Sequence, residues 1–344
     1  MKLTRVICLA AGVSCAAWVT MALAGKPLPR SAPVPSDNPM TAAKVELGKQ
    51  LYFDTRLSRT GTVSCNSCHN VMEAGDDDRA VSMGVDGKTG KRSAPTVWNA
   101  AFLTVMFWDG RAATLEEQAK GPMVNSVEMG MPDHEMVVNR IAAVPGYRHA
   151  FKEVFGGNAP ITINNVAKAI ATYERTLITP DSPYDRAMRG DKLVMSPAAH
   201  RGMRLAESAG CTACHNGPVF AGPNVTMGDG FYMKFPLQTG TRYEDKYQLC
   251  ADQGRYEVTK VEEDRGMWRV PMWRNVAVTA PYFHNGSVAT LPEAVRVMGA
   301  TQLGKELTAA EVEDLTAFLE SLTGKFPAQT MPRLPETTGR SVVD

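Results

Sequence analysis

The apolar positions of this chain recur mostly at the spacing of helices that bury one face. Residues 41–53 and 163–177 carry their large apolar side chains at this 3.6-residue period. Ser196 and Pro197 supply an N-cap and a first-turn proline for a further helix. A Thr-x-x-Glu capping box at residues 308–311 precedes a last apolar stripe. The pattern therefore predicts a mainly α protein.

Segments rich in Pro, Ser and Gly divide these predicted helices into groups. Residues 25–40 read as a flexible lead-in, and the run 179–183 breaks the chain after the second periodic segment. Residues 227–263 lack a clear period and predict a loop with short strands. The last helix is expected to stop at Gly324. We predict two domains, at residues 41–180 and 181–326, followed by a C-terminal tail at 327–344.

The first residues have the composition of an export signal. Lys2 and Arg5 precede an uncharged stretch, and Ala22-Leu23-Ala24 is a small-x-small cleavage site. We predict a signal peptide at residues 1–24 that is cleaved, leaving an exported protein without stable membrane insertion. An uncleaved anchor is the alternative, because the stretch is long enough to span a bilayer.

Charge and composition exclude some classes of function. The 344 residues carry 37 Lys and Arg against 36 Asp and Glu, a net charge of +1. Nucleic-acid binding needs a basic surface that neutralises phosphates, so the balance gives no reason to expect such a partner. The length favours two domains over one.

Seven cysteines and six histidines carry the strongest chemical signal. Two identical Cys-x-x-Cys-His motifs, in an exported chain, are the attachment pattern of c-type haem: the thiols bind the vinyl groups and the histidine binds the iron. A thioredoxin-like motif or a four-cysteine zinc site leaves both histidines unexplained. The motif residues are Cys65, Cys68, His69, Cys211, Cys214 and His215. Outside the signal, Cys250 is left without an assigned role.

Longer segments around the motifs resemble the bacterial dihaem cytochrome c peroxidase family, which includes the MauG-type enzymes. They are LGKQLYFDTRLSRTGTVSCNSCH, RSAPTVWNA, FWDGRAATLEEQAKGPM, CTACHNG and WRNVAVTAPYFHNGSVATLPEAV, with VMGATQLG after the last. The resemblance implies two cytochrome c-like domains, each with one covalently bound haem c. It further implies a periplasmic, often homodimeric enzyme that reduces hydrogen peroxide with electrons from a small cytochrome c or cupredoxin. The first haem would be the peroxidatic one and the second would accept the electrons.

The same resemblance assigns roles to individual residues. Met298 matches the methionine ligand that pairs with His215, where MauG-type enzymes carry a tyrosine. Glu128 matches a distal carboxylate suited to general acid–base catalysis, and Gln118 its amide neighbour. Trp108 matches an aromatic residue between the haems. As alternatives, Glu128 and Gln118 lie on an exposed helix and Trp108 is a core residue.

The family also binds calcium between its domains. The matching positions here are Ser93, Thr279 and Pro281. Calcium takes oxygen ligands that include backbone carbonyls, so residues without charge can contribute. Ser93 stands where the family usually has Asn.

One departure from the family concerns the peroxidatic site. Most members carry a histidine that caps the first iron in the oxidised enzyme, and Val85 occupies that position here. The next histidine after His69 is His134. Our hypothesis is that the first haem stays open and needs no reductive activation, with Met83 as a minor alternative ligand.

Two other functions compete with a peroxidase. A dihaem electron carrier would use the same haem ligands and consume no peroxide. A MauG-like oxidase would act on a protein partner, which Met298 disfavours.

Overall fold

The computed structural model describes residues 26–191, 193–223 and 225–343, so the predicted signal peptide lies outside the described residues. The mainly α fold is confirmed. The helices before the middle of the chain are α1 Ala42–Phe53, α2 Cys65–Cys68, α3 Leu115–Val124, α4 His134–Ala142, α5 Pro145–Phe155 and α6 Ile163–Glu174. Those after it are α7 Pro183–Met188, α8 Pro197–Ser208, α9 Arg242–Tyr247, α10 Tyr256–Thr259, α11 Leu291–Leu303 and α12 Ala309–Glu320.

Short elements complete the chain. Strands β1 Tyr232–Lys234 and β2 Met267–Arg269 pair antiparallel, with Tyr232 opposite Arg269. The 3-10 turns lie at Thr55–Leu57, Val85–Gly87, Ala100–Phe102, Cys211–Ala213, Glu262–Asp264 and Val276–Val278. The segment 227–263, predicted as loop with short strands, therefore contains β1 and two short helices. Across the described ranges, no helix is both long and apolar enough to cross a bilayer.

The predicted helix starts coincide with real caps. Thr41 Oγ1 accepts from the backbone N–H of Lys44 at 3.2 Å, and Ser196 Oγ accepts from that of Ala199 at 3.0 Å. The capping box at Thr308 is formed as predicted. Its helix α12 ends at Glu320, before the predicted stop at Gly324.

Gly324 instead serves the junction between the two halves. A Cβ at this position would lie 1.9 Å from the carbonyl oxygen of Thr179, so only glycine allows the approach. Thr179 also forms hydrogen bonds with a residue of each half. Its N–H donates to Asn99 Oδ1 of the first half at 2.8 Å, and its Oγ1 accepts from Asn275 Nδ2 of the second half at 2.9 Å.

Two of the three apolar cores in the described part of the chain are built on pairs of helices, one in each half. The first packs α1 against α6 around fully buried Leu51, Tyr52 and Ile170. The second packs α8 against α12, where Gly202 allows the backbone of Asp314 to approach closely. The last helix thus covers the helix that leads into the second Cys-x-x-Cys-His motif, as is usual in small c-type cytochromes.

The terminal segments tie the halves together. Residues 26–40 contain no helix or strand, yet Leu28 is fully buried and its N–H donates to Asp185 Oδ1 at 2.8 Å. The lead-in predicted to be flexible is therefore docked, its start on the second half and its end, through Asn38, on Glu116 and Lys168 of the first. The C-terminal tail runs back over the first half, where Arg56 binds the carbonyl oxygen of Pro335 at 2.9 Å.

Candidate functional site

The first Cys-x-x-Cys-His motif forms the short helix α2 and directs its histidine inward. The Nδ1–H of His69 donates to the carbonyl oxygen of Pro95 at 2.9 Å. Burial lowers the pKa of His69 below its ordinary value. A neutral ring with its Nδ1 engaged leaves Nε2 as the ligand atom, which is how metal-bound histidines are usually oriented.

The second motif repeats this arrangement from a different local structure. Cys211–Ala213 form a 3-10 turn after α8, and the Nδ1–H of His215 donates to the carbonyl oxygen of Phe220 at 3.0 Å. Burial lowers the pKa of His215 to about 4. Trp273 stacks on the His215 ring at 4.2 Å between centroids. Both motif histidines therefore suit an axial iron ligand.

A mostly apolar cavity surrounds the second motif. Cys211, Cys214 and His215 line it, and so does Met298 from α11. Two thiols, an imidazole and a thioether in one apolar cavity are the donor set of a covalently attached haem with histidine and methionine ligands. The residues present therefore fit the group.

The same cavity extends to the first half of the molecule. Pro95, which holds His69, lines it together with Trp108. Trp108 donates from Nε1 to the carbonyl oxygen of Ser93 at 2.9 Å, and its own carbonyl accepts from the N–H of Arg269 at 2.9 Å. The tryptophan is thus held by hydrogen bonds to a residue of each half, Ser93 and Arg269.

Arg269 is a buried cation that sequence reasoning missed. Its Nε donates to the carbonyl oxygen of Phe107 at 3.1 Å, and no described carboxylate pairs with it. Burial lowers its pKa to about 10. Since it lines the cavity, it can meet the carboxylates that a haem carries.

Glu128 lies in the turn after α3, beside the first motif. It is half-buried, and its Oε1 accepts from Asn125 Nδ2 at 2.8 Å. Burial raises the pKa of Glu128, and the Arg111 guanidinium partly opposes this. Gly84, which lies against the backbone of Glu128, lines a cavity with Asn66 and Ser67 of the first motif, so the Glu128 turn lies near the attachment site.

Gln118 lies in the first half of α3, and the turn that contains Glu128 follows the end of this helix. It is half-buried on α3, and the carbonyl of Pro122 at the end of α3 accepts from the N–H of Met129 at 3.2 Å. No hydrogen bond joins Gln118 to Glu128 among the described residues. The two predicted distal residues therefore lie on adjoining elements, α3 and the turn after it, without a hydrogen bond between them.

Val85 packs directly against the Glu128 turn. Its side chain is buried, and its N–H donates to the carbonyl oxygen of Glu128 at 2.9 Å. Gly84 allows this approach, because a Cβ there would lie 2.1 Å from the carbonyl oxygen of Val127. The side chain of Met83, the alternative ligand, is 48% exposed.

The next histidines have other partners. His134 begins α4 and binds the carbonyl oxygen of Lys120 through Nε2 at 3.0 Å. His284 stacks on Trp268 at 4.1 Å between centroids. Neither arrangement points to a replacement for the missing histidine.

The residues matched to a calcium site border the shared cavity. Ser93, Thr279 and Pro281 all line it, and the N–H of Ser93 donates to the carbonyl oxygen of His284 at 2.8 Å. Asp76 lines the same cavity, and sequence reasoning missed it. The pKa of Asp76 is raised to about 7, mainly by burial and then by the negative charge of Asp78. The run of three aspartates at residues 76–78 is the sequence feature that could have pointed to Asp76.

Comparison with known proteins agrees with this geometry. The family model for di-haem cytochrome c peroxidase matches residues 42–193. The chain is 42% identical to cytochrome c551 peroxidase of Pseudomonas aeruginosa, over 91% of this chain and 88% of that protein. It is 36% identical to the methylamine utilization protein MauG of Methylorubrum extorquens, over 89% of this chain and 86% of that protein.

A solved structure extends the likeness to the whole fold. A MauG-like protein associated with microbial copper homeostasis superposes with a TM-score of 0.75 at 29% identity. The likeness covers 90% of this chain and 95% of that one. With two haem-attachment motifs, a shared cavity and relatives matched over most of their length, the chain belongs to the di-haem cytochrome c peroxidase family.

Proposed function

We propose that this protein reduces hydrogen peroxide to water in the periplasm, with electrons from a small cytochrome c or a cupredoxin. The observation that carries the proposal is the position of Glu128, a half-buried carboxylate with a raised pKa beside the first motif. The 42% identity to a cytochrome c551 peroxidase over 91% of the chain supports it. Homodimer formation stays a prediction.

Two covalently bound haems would be held by the two motifs. Cys65 and Cys68 would attach the first, and Cys211 and Cys214 the second. When bound, these groups supply the iron that exchanges electrons with peroxide and with the donor. His69 and His215, each fixed through Nδ1, would be the proximal ligands.

Met298 would complete the coordination of the second haem. A thioether favours the reduced iron and raises the potential, which suits a centre that collects electrons. It shares the apolar cavity with His215. The domain at residues 181–326 would thus accept electrons and that at 41–180 would react with peroxide.

Glu128 would handle the proton at the first haem. Reduction of peroxide requires a proton to leave one oxygen and reach the other, and a positioned carboxylate can accept and return it. Asn125 holds Oε1 at 2.8 Å and so fixes the orientation of the carboxylate. Gln118 would orient peroxide or water by hydrogen bonds.

Trp108 would carry electrons between the two sites. It lines the cavity that reaches both Pro95, which holds His69, and His215. The hydrogen bond from Nε1 to the Ser93 carbonyl holds the ring, and the bond from the Arg269 N–H to the Trp108 carbonyl holds its backbone.

The peroxidatic site would stay open in the oxidised protein. Val85 has no atom that can bind iron, and its backbone is tied to Glu128 rather than displaced from it. Reductive activation by release of a ligand would then be unnecessary.

Calcium would bind where the two halves meet. Ser93 comes from the first half, whereas Thr279 and Pro281 come from the second, and all three line one cavity. Oxygen atoms of a hydroxyl and of backbone carbonyls suit this ion.

Steady-state turnover tests the proposed reaction. The holoprotein is mixed with a panel of reduced small cytochromes and cupredoxins, and their oxidation is followed as peroxide is added. We expect catalytic donor oxidation with at least one of them. Absence of turnover with haem fully incorporated would favour an electron carrier, and oxidation of a protein partner instead of the donor would favour a MauG-like oxidase.

A further inference from the structure

Asp76 differs from the other buried aspartates of the described chain. Asp54, Asp109 and Asp185 each pair with an arginine, at 2.6, 2.8 and 2.9 Å respectively. Asp76 is only 6% exposed, forms no ion pair among the described residues, and its Oδ1 has no hydrogen-bond partner there. A buried carboxylate without compensation is costly, so its retention points to a missing partner.

The surroundings of Asp76 supply further oxygen atoms. It lines the cavity that Ser93, Thr279 and Pro281 also line. Tyr282, the residue after Pro281, lines the same cavity, and a Cβ at Gly286 would lie 2.4 Å from the Cα of Ala80, so the segments that follow Asp76 and Pro281 approach closely. In the described structure neither the Thr279 nor the Pro281 carbonyl accepts a backbone hydrogen bond. These carbonyls are therefore free to bind another group.

A set made only of oxygen atoms with one negative charge suits a hard cation. Calcium accepts carboxylate, hydroxyl, carbonyl and water oxygens together in flexible geometry. Ser93 offers only a neutral hydroxyl, and Thr279 and Pro281 would offer neutral carbonyl oxygens. Without Asp76, these three residues lack the negative charge that usually strengthens such a site.

We propose that Asp76 supplies a carboxylate ligand to calcium at this cavity. The inference rests on the proposed calcium site and adds its only charged protein ligand among these residues. The ion would then join the segment that follows the first motif to the segment 279–281 of the second half. Calcium binding would thereby couple the two haem-bearing halves.

Calcium titration of the chelator-treated holoprotein tests the proposal. Binding of calcium chloride is measured by calorimetry for the unaltered protein, for Asp76→Asn and for Asp78→Asn. Asp78 is the matched control, because it is exposed, lies in the same run and has a positive φ that Asn tolerates. We expect Asp76→Asn to weaken calcium affinity about tenfold or more, and Asp78→Asn, which removes a charge that only acts at a distance, to weaken it much less.

Two results would overturn the proposal. One is an Asp76→Asn variant that binds calcium as tightly as the unaltered protein, and the other is an unaltered protein that binds none. If Asp76→Asn fails to fold, as judged by circular dichroism and haem absorption, Asp76→Ser is measured against the same criterion. Peroxide turnover is recorded separately, so a protein that binds calcium through Asp76 but consumes no peroxide contradicts only the proposed function.

Discussion

At the scale of single residues, both motif histidines are held in the same way by different parts of the chain. The Nδ1 of His69 reaches a carbonyl 26 residues later, whereas that of His215 reaches one only five residues later. The motifs made both histidines predictable as ligands. Their partners were not, because a backbone carbonyl has no sequence signature. Asp76 escaped prediction for a similar reason, since its lack of an arginine partner is visible only in three dimensions.

Glu128→Gln is expected to lower kcat for peroxide reduction by about 10²–10⁴-fold, because the variant cannot accept a proton. In the unaltered protein, burial raises the Glu128 pKa above 4.5, so the active carboxylate form is lost at a higher pH than for an ordinary glutamate. The acid limb of kcat/KM should lie above pH 4.5 and disappear in the variant.

Glu153→Gln is the matched control, since Glu153 is exposed on α5. It should keep both the rate and the acid limb. A Glu128→Gln enzyme with an unchanged rate would show that the carboxylate takes no part in the reaction.

At the scale of elements, the sequence predicted what local rules determine. Helical period and caps placed α1, α6, α8 and α12 within a few residues of their real bounds. The docking of residues 26–40 was not predictable, because a Pro- and Ser-rich composition says nothing about the buried position that Leu28 occupies. The contact of Val85 with the Glu128 turn was equally hidden, since it joins residues 43 apart in sequence through backbone atoms.

Val85→His is expected to restore a histidine ligand for the iron of the first haem, at the position that Val85 occupies beside the Glu128 turn. Because imidazole binds iron and valine does not, the oxidised variant should lose its high-spin signal and show a lag in peroxide turnover that pre-reduction removes. Lys88→His, at an exposed position of the same turn, should retain both properties of the unaltered protein. Equal behaviour of the two variants would contradict the assigned position.

The buried carboxyl of Glu174, on α6, should make the free energy of unfolding depend on pH. Burial raises its pKa from 4.5 to about 8, so the folded protein keeps a proton that the unfolded chain loses. The free energy of unfolding should therefore fall as the pH rises from about 4.5 to about 8. Glu174→Gln should flatten this slope in denaturant titrations, whereas Glu153→Gln should leave it intact. An unchanged slope in Glu174→Gln would contradict the buried carboxyl.

At the scale of the whole molecule, two haem-bearing halves share one cavity and are joined at Thr179. Trp108 is an aromatic residue of the first half that lines this cavity together with Pro95 and His215. The motif spacing predicts two domains, but a cavity lined by the second motif and by Pro95, the partner of His69, could not be predicted from either half alone.

Trp108→Phe should slow electron passage between the halves. The variant loses the hydrogen bond from Nε1 to Ser93 that fixes the ring. Its smaller ring also spans less of the distance between the halves. Stopped-flow absorption, with the second haem reduced beforehand and peroxide then added, measures the oxidation of that haem. Trp268→Phe, in the same cavity, is the control and should be much less affected. Equal slowing in both variants would remove the special role of Trp108.

In the proposed peroxidase, the first haem is open without prior reduction. Electron paramagnetic resonance of the fully oxidised holoprotein tests it most directly, because high-spin and low-spin ferric haem give distinct signals. We expect one low-spin signal, from the haem bound by His215 and Met298, and one high-spin signal, from the haem bound by His69 alone or with water. Two low-spin signals and no high-spin signal would contradict it.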